Sequence, residues 1–318
     1  MRLLASKLML KKRWYIRQIE ENTPYYDIKY YDNTFYIAGK NCIVKGSTPD
    51  NLESMSVVPS GMNTVIWKKI SHKRSLLSSF SVIVGENTTY NTGVIVGFNG
   101  LPSENIPDPF CIETVYYMFN SCCFFSVANR FVLAGFYKDT TYTKPAIAGL
   151  DFSNNGIHIG TSATTNLGNY NGHLTDVQCT ENICRLVGQS ENENYVGFTA
   201  VADYDLDAFG IINSLGTEIN SMTSDSKLLA GEDACYYSSN LSTWQSVIGN
   251  SFGAWKGAYY NGTNYYLCGE NGYFAYSNNG ANWVVEKVGN NTWNSVIRAG
   301  QYIVLVGDNG YLAYTVIS

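Results

Sequence analysis

A short pattern, two apolar residues followed by glycine, recurs seven times along the chain and constrains the fold more than any other feature. The copies end at Gly39, Gly85, Gly135, Gly188, Gly231, Gly269 and Gly307, with spacings of 46, 50, 53, 43, 38 and 38 residues. A period of about 40–50 residues is typical of a propeller blade, in which each repeat forms one four-stranded antiparallel sheet. The pattern also ends at Gly97 and Gly149, where we expect the strand after the main glycine rather than a new repeat. We therefore predict an all-β chain folded as a seven-bladed β-propeller.

The sixth copy indicates how one blade is divided. Trp255–Tyr260 is the predicted inner strand A, Tyr265–Cys268 strand B and Tyr273–Tyr276 strand C, and Trp283 opens the outer strand D. Gly and Asn occupy the intervening turns because they adopt positive φ at little cost. We expect a single domain over residues 1–318, with blades at approximately 22–62, 63–113, 114–168, 169–216, 217–250, 251–290 and 291–318 plus 1–21.

Composition narrows the class of partner. The 318 residues carry a net charge of −5, and Tyr (25) and Gly (29) are abundant. A nucleic-acid partner would require a basic face, so we exclude it. No run approaches the roughly 20 apolar residues that cross a bilayer, and the start MRLLASKLMLKK does not read as a signal peptide, so we expect no membrane insertion.

The cysteines do not indicate a metal centre. The eight cysteines lack paired CxxC spacing and only three histidines are present, so we expect no metal site and no cofactor. Free buried thiols are the favoured interpretation. Cys179 and Cys184 flank a predicted hairpin turn, where they could face each other.

Three segments share a turn motif that begins with serine. They read SNNGIHI from Ser153, SSNLSTW from Ser238 and SNNGANW from Ser277. The motif resembles the Asp-box and photosystem-assembly-factor type of propeller repeat, with Asn in place of Asp. The resemblance implies that Asn155, Asn240 and Asn279 bond backbone N–H groups of the turn between strands C and D. It also implies that Trp244, Trp283 and, in the third repeat, Ile159 pack between blades. This role is structural and implies no activity.

The two ends of the sequence are predicted to complete one blade. YLAYTVIS at 311–318 aligns with YFAYSNNG of the sixth copy and lacks a strand D. Trp14 precedes Tyr25 by 11 residues, as Trp244 precedes Trp255 by 11. This spacing marks the segment around Trp14 as a D strand. Pairing it with the last strands closes the ring and removes two exposed sheet edges.

Acidic residues follow the repeat glycines, where the turns between strands B and C share one face. We expect these acids to form a rim: Glu86, Glu191, Glu193, Glu232, Asp233, Glu270 and Asp308. Such a rim could bind a cation or a basic partner, but acids and Asn also make good solvated turns, which is the favoured interpretation.

Two longer segments are candidate binding loops. They span 97–110 and 135–149, and they carry Phe98, Phe110, Tyr137 and Tyr142. Extra loop length on a rigid scaffold is where binding function usually lies. These rings could stack on sugars or contact a neighbouring protein, and a packed loop without a ligand is an equally good interpretation.

Sequence motifs give no support for an enzyme. Asp-box propellers include sialidases, which resemble one another in an arginine triad and a Tyr–Glu nucleophile pair. Here only Arg74, Arg130, Arg185 and Arg298 lie within the blades, without a matching motif. His72, His158 and His173 fall in different repeats without an evident Ser or Cys partner.

Two functional hypotheses of different class follow. The first is a non-enzymatic virion component, because the Asn-, Tyr- and Ser-rich composition and degenerate blades resemble propellers of tailed bacteriophages. It would be assembled in the host cytoplasm and would bind other virion or assembly proteins. The second is a carbohydrate-binding or carbohydrate-cleaving propeller that acts on a surface glycan. A photosystem-type assembly factor is a third, weaker hypothesis.

Overall fold

The chain folds as a seven-bladed β-propeller. The computed structural model describes residues 13–74, 79–102, 111–153, 156–164, 171–180, 183–190, 197–202, 205–206 and 209–317. The 28 strands of the described residues form seven blades of four in chain order from β2, with β1 added to the last blade, and the strands of each blade are named A to D from the axis outward. Every sheet is antiparallel, and its spatial order follows the chain, except in blade 7.

Blade 1 comprises β2 (Tyr25–Tyr31), β3 (Thr34–Gly39), β4 (Cys42–Thr48) and β5 (Asn51–Ser56). Blade 2 comprises β6 (Val65–Arg74), β7 (Ser79–Asn87), β8 (Thr92–Asn99) and β9 (Cys111–Thr114). Blade 3 comprises β10 (Tyr117–Phe125), β11 (Arg130–Lys138), β12 (Thr143–Ser153) and β13 (Gly156–Thr164). Blade 4 comprises β14 (Gly172–Cys179), β15 (Cys184–Ser190), β16 (Gly197–Ala202) and β17 (Phe209–Leu215).

Blade 5 comprises β18 (Ile219–Met222), β19 (Leu228–Gly231), β20 (Ala234–Tyr237) and β21 (Gln245–Gly249). Blade 6 comprises β22 (Trp255–Tyr260), β23 (Tyr265–Gly269), β24 (Tyr273–Ser277) and β25 (Val284–Lys287). Blade 7 comprises β26 (Trp293–Ala299), β27 (Tyr302–Gly307), β28 (Tyr311–Val316) and, as its outer strand, β1 (Tyr15–Gln18). One-turn 3-10 helices lie at Asn250–Phe252, Glu270–Gly272 and Asp308–Gly310.

The ring closes as the sequence predicts. Strand β1 pairs antiparallel with β28, in a register that sets Tyr15 opposite Tyr314 and Gln18 opposite Tyr311. The pairing continues past the strand, because the Ile19 backbone N donates to the Gly310 carbonyl at 2.8 Å. The prediction that the segment near Trp14 supplies the missing D strand is therefore confirmed.

The hydrophobic core is divided into seven clusters, one between each pair of neighbouring blades. The cluster between blades 1 and 2, for example, joins Ile43 and Met55 to Trp67 and Ile83. Each middle strand therefore buries both of its faces, which favours continuous apolar runs over strict alternation. This burial explains why the repeat appears in the sequence as adjacent apolar residues rather than as alternating ones.

The glycine that closes each repeat lies opposite a β-bulge in strand A. Immediately before the bulge, a large buried side chain pairs with that glycine in all seven blades: Tyr25, Trp67, Phe119, Leu174, Ile219, Trp255 and Trp293. A Cβ at Gly135 would lie 1.9 Å from the Met118 carbonyl oxygen, and one at Gly307 would lie 1.9 Å from that of Thr292. In six blades the glycine is thus required by the close approach of two backbones, and at Gly39 a Cβ would instead lie 2.8 Å from the Tyr25 ring.

The ends of four strands correct the sequence predictions. Strands β7, β11 and β15 continue past their repeat glycine, so Glu86 and Tyr137 lie within strands rather than in turns. Phe98 also lies in a strand, β8, and is only 2% exposed. The segment 135–149 is the end of one strand, a short turn and most of the next strand, rather than a long loop. Phe110, Asn155, Glu191 and Glu193 lie outside the described residues.

Within the described ranges, no helix is long and apolar enough to cross a membrane.

Candidate functional site

The inner strands surround an axial cavity of about 320 Å³, and all seven blades contribute to its lining. The unpaired residue of each bulge is part of this lining, because the bulge turns one extra side chain toward the axis. These bulge residues are Tyr26, Lys68, Asn120, Thr175, Asn220, Lys256 and Asn294. Polar side chains suit this position because it borders both the cavity and the next blade. Asn120, Thr175, Asn220 and Asn294 each donate to a backbone carbonyl of that blade.

A buried carboxylate in blade 4, Asp176, joins several blades beside the cavity. It accepts hydrogen bonds from Ser121 Oγ of blade 3 at 2.6 Å and from the Met222 backbone N of blade 5 at 3.0 Å. Lys69 Nζ of blade 2 lies 3.2 Å from its Oδ1. Burial alone would raise the pKa of Asp176, but Lys69 and these hydrogen bonds outweigh it and hold the pKa below its ordinary value. The carboxylate is therefore a charged junction between blades.

Asp27 makes a similar junction on the side of blade 1. Its Oδ2 accepts from the Ile70 backbone N of blade 2 at 3.0 Å, and its Oδ1 accepts from Ser295 Oγ of blade 7 at 3.4 Å. Lys29 Nζ lies 3.4 Å from Oδ1. Burial lowers the pKa of Lys29, but the carboxylates of Asp27 and Asp176 outweigh this and raise it above its ordinary value. Its ammonium group therefore stays charged inside the cavity.

At the mouth of the cavity, the predicted acidic residues meet the lysines of the bulges. Glu86 lies 2.6 Å from Lys68 Nζ, and Glu232 lies 2.6 Å from Lys256 Nζ. Glu270 is 3.9 Å from the same Lys256 Nζ. Each of these three acids therefore has a lysine partner, and Glu232 and Glu270 share Lys256.

The two other rim acids among the described residues are also bonded to protein groups. Asp308 Oδ1 accepts from Asn294 Nδ2 at 2.8 Å, and Asp233 Oδ2 accepts from Thr217 Oγ at 3.4 Å. Over the part of the chain that the structure describes, no group of three or more His, Cys, Asp or Glu side chains is placed to hold a metal ion. The geometry supports a structural role for these acids in the turns around the mouth.

A second feature lies on the face that carries the B–C turns and the connections between blades, which we call the BC face. In blades 2 and 3 this face exposes large apolar side chains: Tyr90 (64%), Val115 (69%), Tyr116 (56%) and Tyr142 (42%). The ring of Tyr116 stacks on that of Tyr137, with centroids 5.9 Å apart. We call these five residues the tyrosine patch.

The tyrosine patch is held by ordered backbone. The Lys138 backbone N donates to the Tyr116 carbonyl at 2.8 Å, which joins strand β11 to the connection before β10. In the turn before Tyr142, Asp139 Oδ1 accepts from the backbone N of Thr141 at 2.6 Å and of Tyr142 at 3.0 Å. Both connections are short, so the exposed rings are presented on a rigid surface.

The candidate binding residues predicted from the sequence therefore do not all lie at one site. Tyr137 and Tyr142 belong to the tyrosine patch, whereas Phe98 packs in the core between blades 1 and 2. Lys144 Nζ lies 4.3 Å from the centroid of the Tyr142 ring and covers one side of it. The loop position predicted for Phe98 is wrong, because that strand continues beyond Gly97.

The turn residues named by the sequence motif make local contacts in two blades. Asn279 Oδ1 accepts from the backbone N of Ala281 at 3.0 Å and of Asn282 at 2.9 Å. Asn240 Oδ1 accepts in the same way from Ser242 and Thr243. The hydroxyls of Ser277 and Ser238 donate to these Asn side chains at 3.1 Å. Ser153 ends strand β12 and pairs with Gly156.

The tryptophans of the motif contact the clusters between blades. Trp244 packs against the cluster between blades 4 and 5, and Trp283 against the one between blades 5 and 6. Trp14 packs between blades 6 and 7, with its ring 5.1 Å from that of Phe274 and its Nε1 donating to Glu286 at 3.2 Å. Ile159 packs between blades 2 and 3.

One histidine does contact serine, contrary to the sequence-based expectation. His72 Nδ1 lies 2.9 Å from Ser81 Oγ and its Nε2 lies 3.3 Å from Ser79 Oγ. Ser81 is fully buried, and its hydroxyl donates to the Gly100 carbonyl at 2.6 Å. This hydroxyl is therefore not placed to attack a substrate.

Sequence reasoning missed the residues that line the axis, although a signal for them exists. In every repeat, the large apolar residue of strand A is followed by the bulge residue and then by Asp, Lys, Ser or Gly. The triplets read YYD, WKK, FNS, LTD, INS, WKG and WNS. Each triplet begins 12–18 residues before its repeat glycine, so the triplets align only when the hairpin between them and the glycine is allowed to vary in length.

The seven four-stranded sheets define the class as a seven-bladed propeller, and comparison with solved structures agrees, since a β-propeller domain is among the similar structures. No protein-family model matches the chain, and no curated protein matches it. Among solved structures, YCF48 from Cyanidioschyzon merolae is similar with a TM-score of 0.61 and 10% identity, over 95% of this chain and 98% of that one.

The WD40 propeller domain of Doa1 has a TM-score of 0.62 and 11% identity, over 96% of this chain and 95% of that one. The virginiamycin B lyase from Staphylococcus aureus, an enzyme, has a TM-score of 0.61 and 9% identity, over 96% of this chain and 100% of that one. At such low identity the likeness establishes a WD40- or YCF48-like propeller fold and nothing more, because this fold hosts unrelated functions.

Proposed function

We propose that this protein is a non-catalytic propeller that binds another protein through the tyrosine patch. The observation that carries the proposal is the concentration of exposed rings on one face of two adjacent blades. Of the eight large apolar side chains exposed among the described residues, Tyr90, Val115, Tyr116 and Tyr142 lie there. Contiguous exposed apolar surface marks interaction sites, and Tyr is enriched among the residues that dominate binding energy.

The axial cavity supports a scaffold role more than a catalytic one. Lys29 and Lys69 lie beside Asp27 and Asp176, the two carboxylates that join blades, so these charges serve the closed ring. A rigid ring presents the patch in a fixed shape, which reduces the entropy lost when a partner binds. The propeller fold of WD40 relatives is compatible with this role but does not decide it.

We further propose that the partner is another component of a virion, assembled in the host cytoplasm. What supports this is the Asn-, Tyr- and Ser-rich composition and the three degenerate turn motifs, which resemble propellers of tailed bacteriophages. Within this proposal the protein decorates or joins parts of a tail or head, and the tyrosine patch faces its neighbour.

Photo-crosslinking tests the protein-binding proposal. Benzoylphenylalanine would replace Tyr90 or Tyr116 in cells that naturally make the protein, with Val127 as the matched control. Val127 is 49% exposed but lies in the turn between β10 and β11, on the opposite face. We expect one discrete cross-linked protein from both patch positions and none from Val127. Equal cross-linking from both faces, or none from the patch, contradicts the proposal.

Carbohydrate binding or cleavage is the alternative function. The observation that favours it is the exposed ring of Tyr142 with Lys144 beside it. Aromatic rings with a polar neighbour suit sugar stacking. A glycan array distinguishes the two functions. Binding to a defined glycan that Tyr142→Ala abolishes and Val127→Ala retains would replace the protein-binding proposal, whereas an array without binding supports it.

A further inference from the structure

Three cysteines meet at the interface between blades 3 and 4. Cys179 ends strand β14 and pairs in register with Cys184, the first residue of β15. Their Sγ atoms lie 2.7 Å apart. Across the interface, the Cys179 backbone N lies 3.3 Å from Cys123 Sγ of β10. Cys179 is therefore in contact with the Cys184 thiol of its own blade and with the Cys123 thiol of blade 3.

The backbone register places Cys179 and Cys184 at the right separation for a bond. The Thr180 N donates to the Ile183 carbonyl at 3.0 Å, so Thr180 and Ile183 form the hydrogen-bonded pair that closes the hairpin. The next pair, Cys179 with Cys184, is then a non-hydrogen-bonded pair, in which Cα atoms approach to about 4.5 Å. Disulfides need Cα atoms about 4.4–6.8 Å apart. The hairpin therefore presents the two thiols without movement of the backbone.

No other cysteine within the described residues has a cysteine as its register partner. Cys235 pairs with Ile248, and Cys268 pairs with Phe274. Both are completely buried, and burial raises the pKa of both thiols. Cys123 and Cys179 are partly exposed. The hydrogen bond from Cys179 lowers the pKa of the Cys123 thiol, which favours its thiolate.

We propose that Cys123, Cys179 and Cys184 form a hydroperoxide-reactive thiol site in which Cys179 exchanges between two disulfide partners. The Cys123 thiolate attacks the distal oxygen of a hydroperoxide, the O–O bond breaks, and water or an alcohol leaves as Cys123 becomes a sulfenic acid. The Cys179 sulfur then loses its proton and attacks the Cys123 sulfur. Water leaves, and a disulfide joins blades 3 and 4.

The second disulfide follows by exchange. The Cys184 thiolate attacks the Cys179 sulfur and displaces the Cys123 thiolate, which takes up a proton. The oxidised site then holds the Cys179–Cys184 bond within blade 4, and Cys123 is free again. In total, one hydroperoxide takes two hydrogen atoms from the two thiols. Reduction by an external dithiol returns the site to its starting state.

Differential alkylation with peptide mapping tests this proposal on the full-length protein treated with limiting hydrogen peroxide. Cleavage after Glu181 separates Cys179 from Cys184, so their bond appears as a linked pair of peptides. We expect the wild type to accumulate the Cys179–Cys184 bond. Cys184→Ser stops at the Cys123–Cys179 bond, and Cys179→Ser forms no disulfide but yields a Cys123 sulfenic acid that dimedone traps.

Cys123→Ser should oxidise at least tenfold more slowly, whereas the matched control Cys235→Ser behaves as the wild type does. Circular dichroism of each reduced variant establishes that it is folded. The proposal is overturned if Cys123→Ser oxidises at the wild-type rate, if Cys179→Ser still forms a disulfide, or if Cys235 and Cys268 react as fast as Cys123.

Discussion

Replacing Gly307 by alanine should open the seventh blade, because the repeat glycine is a requirement of backbone packing. The new Cβ would lie 1.9 Å from the Thr292 carbonyl oxygen and 3.1 Å from the Trp293 Cα. Real Cβ contacts essentially never fall below 3.0 Å, so strands β26 and β27 must separate by about 1 Å. Overpacking on this scale lowers the free energy of unfolding by about 1–3 kcal/mol. We expect a loss of about 3 kcal/mol here, because the atoms on both sides belong to the backbone and cannot move aside as a flexible side chain would.

The measurement is the free energy of unfolding from urea titration, followed by near-ultraviolet circular dichroism, with the melting temperature as a second readout. A loss of about 3 kcal/mol corresponds to a decrease of about 4–6 °C for a domain of this size. Gly249→Ala is the matched control, because Gly249 also lies in a strand and a Cβ there meets nothing within 4 Å. We expect the control to change stability by less than about 0.5 kcal/mol. Equal stability of the two variants would refute the steric account of the repeat.

Three further perturbations test other parts of the structure. Asp176→Ala should lower the free energy of unfolding, measured by urea titration, by about 3–5 kcal/mol, because it leaves Lys69, Ser121 and the Met222 N–H unpaired. The control Asp205→Ala, at an exposed position, should lower it little. A small loss for Asp176→Ala would contradict the role of Asp176 as a junction. Asn279→Ala should lower the free energy of unfolding, measured by calorimetry, by about 1–2 kcal/mol, because two backbone N–H groups of the turn lose their acceptor. The control Asn278→Ala, at an exposed position, should be nearly neutral. Equal effects of the two substitutions would contradict the role assigned to Asn279 in the turn. Burial and nearby Lys68 lower the pKa of His173 from 6.5 to about 4. Between these pH values the folded state therefore binds fewer protons than the unfolded state. The free energy of unfolding should fall as the pH decreases from 6.5 toward 4, by at most about 3 kcal/mol. His173→Gln should flatten this part of the stability profile and exposed His158→Gln should not; an unchanged slope in His173→Gln would show that His173 is not its source.

The fold was predictable because its main constraint repeats in the sequence. A bulge at the same point of every inner strand requires a glycine on the next strand, and burial of both faces requires apolar residues before it. These two demands produce the pattern that ends at Gly39 and at Gly307. The closure through Trp14 was predictable because its spacing to the next inner strand equals that of Trp244 and is one residue longer than that of Trp283.

The candidate site was less predictable, for two physical reasons. The bulge position that lines the axial cavity holds Tyr, Lys, Asn or Thr, so no single residue type marks it in all seven repeats. The tyrosine patch depends on Val115 and Tyr116, which lie in a two-residue connection without a pattern of its own. Phe98 was misplaced because a strand that extends beyond its glycine looks, in sequence, like the start of a loop.

Closure through β1 also affects how the molecule reaches its native state. Tyr15 pairs with Tyr314, so the strand pairing that completes the ring joins residues at opposite ends of the described chain. Contacts of such long separation form late, because the entropy of bringing distant segments together must be overcome first. During translation the segment from Tyr15 to Gln18 has no strand to pair with until residues 311–316 leave the ribosome. Until then the nascent chain is an incomplete ring, and its unpaired strand edges are open to pairing with another chain.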